Sequence, residues 1–94
     1  MKHEIEISMK IYPISSNNNP ERRWVKDQEE KGISLMIPKD LSSNIVNNIV
    51  VPEMLGMGYS IVNSLTFFKK VKLDDLLNEQ QKLFNRFKIN LFRN

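Results

Sequence analysis

Residues 59–91, YSIVNSLTFFKKVKLDDLLNEQQKLFNRFKINL, decide the fold, because the spacing of their apolar side chains changes partway along. Tyr59, Ile61, Leu65, Phe67 and Val71 recur at even intervals, which predicts one long strand over 59–71. Val62 and Phe68 add apolar groups on its other side, so the strand is expected to be covered on both faces and to lie at the centre of a sheet. Beyond it, Leu73, Leu76, Leu77, Leu83, Phe84, Phe87 and Leu91 fall within about 120° of arc on a helical wheel. That pattern predicts a terminal amphipathic helix. Asp74, Asp75 and Glu79 lead it, and Lys82, Arg86, Lys88 and Arg93 follow, the order that a helix dipole favours.

Moving upstream, Gly56-Met57-Gly58 reads as a turn before the long strand, with glycine available for positive φ. Asp40 is placed to cap a helix carrying Leu41, Ile45 and Ile49 on one face and ending before Pro52. A hairpin turning at Asn47-Asn48 is the rival, since Ile45, Val46, Ile49, Val50 and Val51 are β-branched. Ile33, Leu35 and Ile37 alternate with Ser34 and Met36, a strand that Pro38 stops. Residues 21–31 fit either a short helix between Pro20 and Gly32 or a strand at Arg23–Lys26 paired with Ile33–Ile37. The hairpin is favoured because Trp24 and Val25 alone would give a helix little to bury. Ser15 to Pro20 has the composition of an exposed loop. The first segment is the plainest: Ile5, Ile7, Met9 and Ile11 alternate with Glu4, Glu6, Ser8 and Lys10, a half-buried strand.

The expected architecture is therefore α+β, in one domain over residues 1–94. A small, mainly antiparallel sheet would include residues 4–12, 32–38 and 58–72, with the C-terminal amphipathic helix packed on one face. Leu, Ile, Val and Phe supply 30 of the 94 residues, enough for a globular core. With no cysteine, disulfides and thiolate metal sites are excluded. The opening MKHEIEISMK puts charges where a signal peptide needs its apolar run, and no stretch is apolar enough to span a membrane; a cytoplasmic setting is the expectation. The net charge of +3 is uneven. Residues 69–94 carry seven Lys/Arg against three Asp/Glu, whereas residues 1–68 carry seven against eight.

Catalytic motifs are sparse. His3 is the single histidine, and with Glu4 and Glu6 it only outlines a metal site, because His3 alternates to the opposite side of the strand. Neither a G-x-S-x-G elbow nor a nucleophilic cysteine is present, and the pairs Asp74-Asp75 and Glu29-Glu30 would diverge on a helix. Gly56-x-Gly58 lacks the rest of a dinucleotide or phosphate loop. No catalytic residue, metal or cofactor is expected.

The expected function is a non-catalytic protein-interaction module, a small regulator or inhibitor of the kind carried by a phage or other mobile element. Homo-oligomerisation is left open, and no membrane partner is expected. The expected partner-binding residues are Lys82, Arg86 and Arg93, which a continuous helix would align opposite its apolar stripe, together with Ile89 and Phe92, which fall off that stripe. The rival is a nucleic-acid-binding module using the basic C-terminal quarter, where Lys69, Lys70, Lys72, Arg86 and Lys88 interleave with aromatic residues. Core packing is the competing account of Phe84 and Phe87.

Overall fold

A computed structural model describes residues 3–14 and 30–91 of the chain. The alternating first segment forms β1 (His3–Ile14), and β2 (Glu30–Met36) runs antiparallel to it, with Met9 opposite Leu35 and Ile11 opposite Ile33. Both edges of β2 are occupied, by β1 on one side and by β4 (Thr66–Lys72) on the other. The strand expected at Arg23–Lys26 lies outside the described residues, and over residues 30–36 β2 has no free edge left for it. Gly32 is also reassigned: it sits within β2, opposite Tyr12 and Lys70, and ends no helix.

Two strands replace the long one expected over 59–71. β3 (Ser60–Asn63) and β4 form a hairpin around a turn at Ser64 and Leu65. Asn63 Oδ1 accepts the Leu65 N–H at 3.0 Å, the local bond by which an Asn side chain closes a turn. The strand order β3-β4-β2-β1-β5 makes β2 the central strand, with β4 one place in from the β3 edge. Phe67 is fully buried, as expected, but Phe68 on the other side is only half-buried.

The helical run over 43–56 passes through Pro52 instead of ending before it. It consists of α1 (Ser43–Ile45), a π-helical turn (Val46–Val50) and α2 (Val51–Gly56). Proline clashes with the carbonyl four residues back in a regular helix, and the wider turn just upstream relieves that crowding. Ser42, not Asp40, caps the run, its Oγ accepting the Ile45 N–H at 3.3 Å. Asn47 and Asn48 are helical, so the rival hairpin is absent. The buried residues are Val46, Val50 and Met54, each four apart, one position on from the row expected from Leu41. Gly58 then adopts φ 90°, the conformation glycine permits, and the Gly58 and Tyr59 amides donate to the Leu55 and Met54 carbonyls. These paired bonds close the helix and deliver Tyr59 into the core.

The terminal helix is shorter than its pattern implied. A 3-10 turn (Leu73–Asp75) leads into α3 (Leu76–Arg86), and the chain then becomes β5 (Phe87–Leu91), parallel to β1. Phe87 and Leu91 satisfy a strand period as well as a helical one, Ile89 fits the strand alone, and pairing with the open edge of β1 selects the strand. The result is an α+β fold with a five-stranded mixed sheet, antiparallel in every pairing except β1 with β5. The core gathers Ile7, Met9, Ile33, Leu35, Phe67 and Phe87 from the strands with Val50, Met54 and Leu83 from the helices.

Candidate functional site

The one buried charged side chain among the described residues is Glu79 on α3. It turns inward from the helix. Its Oε2 accepts the Tyr59 hydroxyl at 3.0 Å and its Oε1 accepts Lys69 Nζ at 2.9 Å. Lys69 Nζ also donates to the Met57 carbonyl at 2.6 Å and lies 5.4 Å from the Tyr59 ring centroid. Burial, then the charge and hydrogen bond of Glu79, push the Tyr59 hydroxyl far above the usual tyrosine range, so it stays a donor. Every oxygen of this cluster is engaged with the protein. Its chemistry is that of a clasp joining α3, β4 and the chain after α2.

The residues expected to bind a partner are dispersed. Lys82 is exposed on α3, but Arg86, the last helical residue, is ion-paired with Glu53 of α2. Ile89 is half-buried in β5, opposite Ile7. Phe92 and Arg93 lie outside the described residues, and because α3 stops at Arg86 the helical wheel that aligned Arg93 with Lys82 does not extend that far. The expected apolar stripe is also only partly buried: Leu83 is enclosed, whereas Leu77 is 67% and Phe84 44% exposed. His3 lies 3.8 Å from Glu53 and packs on the Phe87 ring, away from Glu4 and Glu6. No group of three or more His, Asp or Glu among the described residues is arranged to hold a metal ion, and none of the helices there is long and apolar enough to cross a membrane.

A different site emerges where β2 stops short of β1. Their last pair is Ser8 with Met36, so residues 4–7 of β1 have no strand beside them on that side among the described residues. The chain after β2 swings away here, as Pro38 requires, and turns through a Leu41 N–H to Pro38 carbonyl bond into the helical run. A groove of about 740 Å³ remains. Ile5, Ile37, Leu41 and Ile45 form its apolar side, and Glu4, Glu6 and Asp40 bring carboxylates to it. Glu6 also accepts a hydrogen bond from Asn90 of β5. The alternation of β1 sends Glu4 and Glu6 to one side of the free edge and Ile5 to the other. Sequence spacing exposed that alternation but not the free edge, which depends on where β2 ends.

No protein-family model, curated protein or solved structure matches the chain.

Proposed function

We propose that this chain is a non-catalytic protein-interaction module that takes an extended segment of a partner protein into the groove beside residues 4–7. The observation that carries the reading is the coincidence of a free strand edge with carboxylates on one side of it and an apolar wall on the other. A segment added there as a short strand satisfies main-chain groups of β1, while its alternate side chains face the two sides. Basic residues would meet Glu4, Glu6 and Asp40; apolar ones would meet Ile5, Ile37, Leu41 and Ile45. The partner sequence is therefore one that alternates Lys or Arg with Ile, Val or Leu.

In this reading α3 lies across one face of the sheet as a fixed layer, a placement supported by Leu83 in the core and by the Glu79 to Lys69 bond. The cysteine-free composition supports a cytoplasmic setting, and a groove that takes up a partner's segment supports the role of regulator or inhibitor of that partner.

Fluorescence anisotropy with labelled Lys-Ile and Glu-Ile alternating peptides tests the reading. The basic peptide should bind the full chain and the acidic one should not. Reversing Glu4 and Asp40, both exposed, to Lys should weaken the basic peptide by about tenfold or more while leaving the fold intact. Equal binding of the two peptides, or indifference to the reversal, refutes the groove.

A further inference from the structure

The side of the sheet that carries Glu4 and Glu6 also carries, toward the far end of β1, a group of residues of opposite character. Tyr12, Gly32 and Lys70 form one row across three strands, and Lys10, Ser34, Phe68 and Ser60 form the next across four. No helix among the described residues contributes to these rows. The Tyr12 and Phe68 rings meet over Gly32, centroids 5.9 Å apart and planes tilted by 30°. A Cβ on residue 32 would lie 2.9 Å from Tyr12 and 3.0 Å from Phe68, so the glycine is what lets both rings close over the central strand. Neither ring is fully covered. Lys10, Lys70 and Lys72 surround the pair, and the carboxylate in the adjoining row, Glu30, stands opposite Lys72. Beside Phe68 a hollow of about 400 Å³ is lined by Gly58, Ser60, Lys69 and Lys70.

We infer that this face binds single-stranded RNA. Partly exposed aromatic rings offer stacking surfaces that any unpaired base can use, and a duplex keeps its bases from them. The three lysines supply the positive field that a phosphate backbone needs. Ser34 and Ser60, flanking Phe68 on either side, supply hydroxyls for a ribose 2′-OH, the group that separates RNA from DNA. The hollow beside Phe68 leaves room for a base to tuck against the β3 edge. The rows are separate from the groove beside residues 4–7, so this activity does not depend on the peptide-binding reading.

The test is anisotropy of labelled oligo(U) of about ten nucleotides on the full chain, with oligo(dU) and a duplex as competitors. Oligo(U) should bind, with a slope of log K against log salt of about −2, the value for three neutralised phosphates on a single strand. Phe68→Leu and Tyr12→Leu, which keep an apolar side chain over Gly32, should each lower affinity by about fivefold or more, and Tyr12→Phe should retain it. Oligo(dU) should compete more weakly, and Ser34→Ala with Ser60→Ala should narrow that gap. Absence of oligo(U) binding, binding that survives both leucine variants, equal competition by duplex, or equal competition by oligo(dU) would each overturn the assignment to RNA. So would competition by the Lys-Ile peptide. Reversal of Glu4 and Asp40 should not weaken oligo(U) binding, which separates failure of this site from failure of the groove.

Discussion

The two sides of the sheet are built by different rules. On one, Ile7, Met9, Ile33, Leu35, Phe67 and Phe87 are fully enclosed with side chains from both helical segments, and the single charged intruder, Glu79, is matched by Lys69 and Tyr59. On the other, the same strands present Lys10, Tyr12, Ser34, Phe68 and Lys70, and two rings share the space above a glycine. β1, β2 and β4 thus serve stability with their odd-numbered residues and turn their even-numbered ones away from the core, whereas β3 is exposed along its whole length. Position within a strand is a better guide to role here than position along the chain.

Adjacent phenylalanines give the sharpest contrast. Phe67→Ala should cost about 3–5 kcal/mol by chemical denaturation, as for a fully buried aromatic, whereas Phe68→Ala should cost less, about 1–2 kcal/mol, because part of its surface already meets water. Equal losses would mean that the second face is covered too. The buried clasp comes next. Glu79→Gln should cost about 2 kcal/mol, less than for a fully buried pair because Lys69 is a quarter exposed and can hydrate. Tyr59 adds a pH signature: its folded form holds the proton where an unfolded tyrosine, near pH 10.0, gives it up. The stability linked to Tyr59 is complete below that value and declines above it, and denaturation of Tyr59→Phe across alkaline pH should decline less steeply. The smallest effect belongs to Gly32. The atoms that a methyl would strike are the far ends of two rings, so Gly32→Ala should change stability by no more than about 1 kcal/mol while displacing both rings. Unchanged aromatic circular dichroism in that variant would mean that the glycine does not set the pair.

Strands whose alternation was strict were legible in the sequence, as Glu4 to Ile11 and Ile33 to Ile37 show. Elsewhere the pattern was ambiguous for physical reasons. Phe84, Phe87 and Leu91 fit a helix, yet Ile89, which disturbed that stripe, fits the alternation of a strand whose partner lies about eighty residues away. Ile61, Leu65 and Phe67 kept an even spacing across a turn that Asn63 closes with its own side chain. Pro52 looked like a stop because a π-helical turn cannot be read from residue types. The inward turn of Glu79 is not legible in its spacing, since its partners Tyr59 and Lys69 come from other elements. Of the residues on the open face, Lys70 and Lys72 were marked by charge. Tyr12 and Gly32 were not, although a glycine inside the alternating run EKGISLM is the kind of signal that marks a close approach. The groove was invisible because it is defined by where one strand ends.

The parallel seam between β1 and β5 bears on how the chain reaches this fold. Met9 faces Leu91, a contact that closes a loop of about eighty residues, so it is entropically the most expensive pairing in the sheet and among the last expected to form. Until residues 87–91 have left the ribosome, that edge of β1 has no mate, and Ile5, Ile7 and Met9 lack the cover that Phe87 and Leu83 bring. A nascent or truncated chain therefore displays an unpaired, apolar strand margin, the surface that self-templated aggregation and chaperone capture both exploit.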